Sequence, residues 1–499
     1  MLRILILMLA LGPAFYSTAS VDFVISTIET GKSVSQTVVH GYFRRDADAD
    51  LVIARIDDAG RRMVSVHEMS DNLVFKAEPI AEFELPENVI GLDVGRLGAR
   101  DILVFFTPDH VTHYDPFRDA FKPLVSFQSI YNNVVKDQIP VLDLFRDING
   151  DGLDDLAIPG FDGITIFIQQ QEGAFSGPVT VHAPPVMEMT YNDYPWYQMR
   201  AMFETDMTGN GKNDLVFWLD NQFAIYRQLD SGMFSDDVIT QESNVPFEYD
   251  GVGGVSFRMG EEDQSKLTAR VLYQLKDLDG DGITDLVTLT LNSKGVFNKQ
   301  TTYEFHKGRR RADGVLVFSE APVSRIESKG VQFEMEEHDL DDDGQVDIVV
   351  SSVQIGIGKI IAALITGSIN IDLDFYKMTK GVYPDSPNAT RTITSTFNLS
   401  SGEVFFPFVL IADVNGDSYA DLLVQDGVDT IRIYEGEEGP GLFSRRVVKI
   451  KAKLPNDADL VTLADLNGDG RQDVIMRLEK KNEENSVAVL MSVSTREVQ

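Results

Sequence analysis

The chain has 499 residues, no cysteine, and 78 acidic against 44 basic residues, for a formal charge of −34. Without thiols there can be no disulfide framework, thiolate zinc site, iron–sulfur cluster or cysteine nucleophile. So large an acid excess argues against binding nucleic acid through its phosphates. With 43% hydrophobic residues the chain can build a packed core, which excludes global disorder.

The chain opens on Met1-Leu-Arg3, an apolar run from Ile4 to Phe15, and the small residues of Tyr16-Ser-Thr-Ala-Ser20. That order is a signal peptide, residues 1–19, with cleavage expected after Ala19. The apolar run is too short to span a bilayer as a helix. No later stretch reads as a membrane span either; Gly356 to Ile369 comes closest, and Lys359 interrupts it. The expectation is a mature protein in the periplasm or secreted, acting as a monomer.

From residue 20 to 499 one pattern recurs: Asp-x-Asp/Asn-x-Asp-Gly-x-x-Asp, followed at once by an apolar run. The copies are Asp147, Asn149, Asp151, Asp155; then, more weakly, Asp206, Thr208, Asn210, Asp214; then Asp277, Asp279, Asp281, Asp285. The others are Asp339, Asp341, Asp343, Asp347; Asp413, Asn415, Asp417, Asp421; and Asp465, Asn467, Asp469, Asp473. Two degenerate copies precede them. Asp93 and Asp101 keep only the end positions, and the segment 41–50 keeps Asp46 and Asp50.

Such loops suit calcium, a hard cation that takes six to eight oxygens. Side chains at positions 1, 3 and 5 of a tight loop converge, a carbonyl at position 7 can join them, and the aspartate at position 9 closes the cage. Glycines at positions 4 and 6 supply the positive φ the turn needs. An EF-hand shares the first half of the pattern but needs an acid at position 12 and a helix after it. Here position 12 is Ile158, Phe217, Thr288, Val350, Val424 or Met476, and each copy runs into a strand-like segment. We expect up to six calcium sites, the one at Asp206–Asp214 weakest, and none in the first two units.

The rest of each unit reads as strands too: Gly163 to Ile168, Phe223 to Tyr226, Ile431 to Tyr434, then a Gly-x-Phe turn at Gly173, Gly232 or Gly441 and a further strand. Four short antiparallel strands per unit, repeated eight times, predict an all-β fold, a β-propeller of eight blades, with seven as the alternative. Only two strands fit after Asp473, so the N-terminal strand, 21–28, is expected to complete the last blade. Loop insertions fall near 182–200, 241–268 and 353–400.

The Asp-Leu-Asn-Gly-Asp-Gly-x-x-Asp loop with its apolar strand and later Gly-x-Phe resembles the FG-GAP/VCBS repeat family, which includes the integrin α-chain headpiece and exported bacterial proteins. The resemblance implies a single propeller over 20–499 whose loops hold calcium on one rim through the residues named above. Ser418 departs from it by replacing the usual glycine.

Signals for chemistry are thinner. No Gly-x-Ser-x-Gly elbow and no His-Glu-x-x-His occurs. His110-x-x-His113 could ligate a transition metal. Tyr191, Tyr194, Trp196 and Tyr197 cluster in one insertion and are candidate ligand-binding residues, since exposed aromatics suit sugar stacking or a protein hot spot. The expected function is binding, adhesion or scaffolding toward a protein or polysaccharide; the alternative is a propeller enzyme, a lyase or hydrolase acting on polysaccharide.

Overall fold

A computed structural model describes residues 21–44, 48–115, 120–131, 133–189, 195–250, 268–293, 299–328, 331–353, 357–397, 404–479 and 484–494. Residues 1–19, expected to be a signal peptide, Asp46, Tyr191, Tyr194 and most of the 241–268 insertion lie outside them. The described chain forms eight antiparallel sheets of four or five strands, the blades of a β-propeller. Blades 1 to 7 span 33–84, 91–126, 145–181, 203–241, 249–327, 331–405 and 409–451; blade 8 takes 461–494 plus the N-terminal strand Val21–Gly31. Blade 5 differs in carrying Tyr249–Asp250 as a parallel edge strand.

The second strand of each blade shows why the sequence folds this way. Leu215-Val-Phe-Trp218 is apolar at every position, and successive side chains of a strand point to opposite faces. Leu215 and Phe217 pack into blade 3, whereas Val216 and Trp218 pack into blade 5. Leu422 likewise faces blade 6 and Leu423 faces blade 8. A strand sandwiched between two neighbours must be apolar on both faces. The core is therefore not one mass. It is a ring of eight clusters, each bridging one pair of adjacent blades.

The ring is closed by the chain's two ends. Val21–Gly31 pairs antiparallel with Asn485–Ser494, from Val21 opposite Ser494 to Gly31 opposite Asn485. The seam between blades 8 and 1 adds Ala49 N–H to Leu466 O at 2.7 Å and Tyr42 Oη to Asp465 O at 2.7 Å. Across it Arg477 Nη1 also donates to Gln36 O at 2.8 Å.

The insertions resolve in two ways. The 182–200 segment holds a hairpin, Val186–Met189 with Pro195–Gln198. In 353–400 a helix, Ile357–Thr366, precedes Ser368–Tyr376, and that strand is the third strand of blade 6 rather than an addition to it. The alternating Ile369-Asn-Ile-Asp-Leu-Asp-Phe375 pairs on both edges, with Asp347–Val353 and with Ala389–Phe397. No helix among the described residues is long and apolar enough to cross a membrane.

Candidate metal centre

Each acidic loop joins the first strand of a blade to the second. The aspartate at position 1 folds the loop around its own carboxylate. Asp147 Oδ1 accepts from Gly150 N–H at 2.7 Å and Asp151 N–H at 3.0 Å, and its Oδ2 from Gly152 N–H at 2.8 Å. Asp277, Asp413 and Asp465 repeat the three bonds. Asp206 does so as well. Positions 4 and 6 take positive φ throughout. Where glycine is missing the backbone still complies, with Asp342 at φ 56° and Ser418 at φ 72°.

The aspartate at position 9 begins the second strand and is buried in all six loops. Its Oδ2 accepts from the loop's own position 2, as in Leu340 N–H to Asp347 at 3.0 Å. Its Oδ1 accepts from the far end of the third strand, as in Met378 N–H to Asp347 at 2.7 Å. The same pair of bonds recurs at Asp155, Asp285, Asp421 and Asp473. At Asp214 a third donor, Thr208 N–H, joins at 2.9 Å. Burial pushes these carboxyls up, to about 7 at Asp155, Asp421 and Asp473 and about 6 at Asp285 and Asp347; the backbone donors oppose the shift and nearby aspartates add to it. A desolvated carboxyl beside further carboxylates is a site where a cation is electrostatically favoured.

The donor set suits an oxygen-seeking ion. Asp277, Asp279 and Asp285 bring carboxylate oxygens within 4.8 Å of one another, and so do Asp339, Asp341 and Asp347. At position 3, Asp341 Oδ1 and Asn415 Oδ1 are buried acceptors with no hydrogen-bond partner. Buried acceptors are rarely left unpaired. Asn149 and Asn467 instead turn their amides to Asp151 Oδ2 and Asp469 Oδ2, at 3.1 and 2.9 Å.

The degenerate units use their remaining acids otherwise. Arg44 Nε lies 3.0 and 3.1 Å from the two oxygens of the buried Asp50. Asp93 Oδ2 accepts from Leu144 and Phe145 N–H of blade 3, and Asp101 Oδ2 from Tyr42 N–H of blade 1.

Residues 413–476 match the family model described as an FG-GAP-like repeat. That repeat and the eight-blade arrangement together fit an FG-GAP-like propeller. The matched segment runs from the acidic loop of blade 7 into that of blade 8. No curated protein matches the chain. Solved structures similar to it include an Agrocybe aegerita lectin that recognises non-reducing terminal N-acetylglucosamine, at 15% identity over 87% of this chain and 94% of that one, TM-score 0.41. The Dos1 propeller is similar at 9% identity over 93% and 95%, TM-score 0.37. The third is BBS1N in complex with ARL6DN, at 7% identity over 94% of each chain, TM-score 0.33. At these scores none of them informs the ligand or activity of this chain. An FG-GAP-like propeller is, in general terms, a binding or scaffold module.

Of the aromatic candidates, Tyr197 is 40% exposed, and Trp196 lies beside it in the strand Pro195–Gln198. Tyr197 meets Phe161 edge-to-face, 5.4 Å between centroids. Phe161 is 55% exposed, and Met187, opposite Tyr197 in the hairpin, is 60% exposed. Sequence reasoning missed Phe161. Its signal was available: a phenylalanine inside the turn Gly160-Phe-Asp-Gly163, where a polar residue is usual. His110 and His113 stand three apart in the strand His110–Asp115 and so belong to opposite faces; His110 Nδ1 pairs with Asp109 at 2.6 Å.

Proposed function

We propose that this FG-GAP-like propeller is an exported, calcium-stabilised binding module that presents the Phe161–Tyr197–Met187 patch to a protein or polysaccharide ligand. The observation that carries the binding role is that exposed aromatic pair. Single exposed apolar residues are ordinary, but three converging from a blade turn and an inter-blade hairpin form a contact surface. Aromatic rings supply contact area at low entropic cost, and methionine adapts to the partner's shape.

Calcium, on this reading, is held by Asp147, Asn149, Asp151 and Asp155 and by their counterparts in the other loops. It supplies positive charge that binds each loop to the strands its closing aspartate already touches. The unpaired, buried oxygen of Asn415 supports this assignment.

The ligand role is tested by screening the mature chain and the F161A/Y197A variant against a polysaccharide array and against a panel of purified extracellular proteins. The expected result is a ligand whose binding falls at least tenfold in a variant that melts normally. Equal binding by both chains removes the patch from the account. Export is tested by sequencing the N-terminus of the exported protein, which should begin at Ser20.

A further inference from the structure

The loops differ in a way their shared pattern conceals. Position 3 is asparagine in blades 3, 7 and 8 (Asn149, Asn415, Asn467) and aspartate in blades 5 and 6 (Asp279, Asp341). Among the described residues, in those two blades alone a lysine enters the loop from the third strand's end. Lys307 Nζ pairs with Asp279 and lies 3.2 Å from Asp281 Oδ2. Lys377 Nζ pairs with Asp341 and lies 3.7 Å from Asp343 Oδ2.

The two lysines occupy equivalent places. Each immediately precedes the residue whose N–H bonds the closing aspartate, Gly308 on Asp285 and Met378 on Asp347. The residues at that place in blades 3, 7 and 8 are Ile168, Glu435 and Met491, none of them basic; blade 8 does carry a cation elsewhere, Arg471 at position 7 of its own loop, with Nη2 2.6 Å from Asp469 Oδ2. Over the four ligand positions, three aspartates with asparagine give −3; four aspartates with a lysine also give −3. The extra carboxylate and the lysine thus occur together.

Two other blades show the same substitution by other means. In blade 1, which has lost most ligand positions, Arg44 grips the buried Asp50, Nη2 to Oδ1 at 2.8 Å. In blade 4 the residue at the lysine's place, Arg227, is exposed. Arg310 serves instead, donating to Asp206 O at 2.8 Å with Nη2 3.6 Å from Asp206 Oδ1.

We infer that Lys307 and Lys377 are tethered counter-ions: they supply blades 5 and 6 with the positive charge that a divalent cation supplies in blades 3, 7 and 8. The consequence is two classes of loop. Those of blades 3, 7 and 8 are the tight calcium sites. Those of blades 5 and 6 are held without calcium, and an ion can enter only by displacing the ammonium from its charge-assisted hydrogen bonds, which lowers affinity about tenfold or more. The inference rests on the calcium reading proposed above.

The test is calorimetric titration of the EDTA-stripped mature chain with calcium, together with its melting temperature in EDTA, for wild type, K307M, K377M and D279N/K307M. K307M and K377M should each gain a tight site, or at least a tenfold rise in affinity, and melt lower in EDTA, with calcium restoring the loss. D279N/K307M rebuilds the asparagine pattern and should melt in EDTA above K307M while keeping the new tight site. The inference is overturned if the variants bind calcium with wild-type number and affinity and melt in EDTA as wild type does. Failure of the calcium reading has a different signature, no heat of binding from any chain. The EDTA melts then decide alone: a lower melt for K307M upholds the counter-ion role, and an unchanged one removes it.

Discussion

A closing aspartate does two jobs with its two oxygens, and both are done before any ion binds. Asp214 shows this most clearly, because its loop has the weakest ligand set. It accepts from Met207 and Thr208 on one oxygen and from Gln228 on the other. Asp214→Ala leaves two buried N–H groups and one half-buried N–H group unpaired, at about 1–3 kcal/mol for each buried one. Urea denaturation in EDTA should show a loss of at least about 2 kcal/mol, and a loss below about 1 kcal/mol would mean the bonds are immaterial. Ser418 holds φ 72°, a conformation that costs an L-residue about 1–2 kcal/mol. Urea denaturation of Ser418→Gly should therefore show a gain of about 1 kcal/mol, the relieved strain outweighing the unfolded-state freedom that glycine adds, and a loss of stability would show that the serine is not strained.

Two buried histidines make a pH prediction with a definite sign. His306 Nε2 accepts from Arg270 at 3.0 Å while its Nδ1–H donates to Ser319 O at 2.7 Å, an arrangement that requires the neutral ring. His67 is similarly placed between Lys76 O and Ser65 Oγ. Burial lowers both below the ordinary histidine value. Below about pH 6.5 the unfolded chain binds protons that the folded chain refuses, so this stability is complete above that pH and lost as pH falls. The raised closing carboxyls of the metal-free chain act in the opposite direction, so the informative quantity is the difference between chains. His67→Gln should show a shallower loss between pH 6.5 and 5 than wild type by urea denaturation.

At the scale of the element, the strand Val21–Gly31 carries the most consequence for its size. It buries Val21 in the cluster between blades 7 and 8 and Ile28 in the cluster between blades 8 and 1. Deleting 21–31 should remove both anchors and bare the edge of Asn485–Ser494. The expected outcome is loss of a single cooperative melt; a truncated chain that melts as wild type would show that the ring does not need its clasp. The clasp was legible in the sequence, because counting strands after Asp473 left the last blade one short. The acidic loops and the strands after them were legible as well, since each is written within about a dozen consecutive residues. What was not legible depends on residues far apart in the chain. Lys377 reaches Asp341 across 36 positions and Met378 reaches Asp347 across 31, and no local pattern announces either. The strand Ser368–Tyr376 read as an insertion because the helix before it breaks the spacing of its blade.

Across the whole molecule, stability is distributed around a ring. Neighbouring loops are tied by backbone bonds: Val346 N–H to Leu278 O at 2.9 Å, Ala420 N–H to Leu340 O at 3.0 Å, and Ala49 N–H to Leu466 O at 2.7 Å across the seam. Charge gathered in one loop is thereby mechanically connected to the next blade. A formal charge of −34 repels itself in a compact chain, and divalent ions in the loops would offset part of it. Each site filled at ten to a hundred times its dissociation constant would add about 1.4–2.7 kcal/mol by mass action.

The direct test of calcium stabilisation is scanning calorimetry of the chain from residue 20 onward in excess calcium and in EDTA, with bound metal counted after gel filtration. The expected result is at least three calcium ions retained per chain and a melting temperature several degrees higher with calcium. No retained metal together with superimposable melts would contradict it.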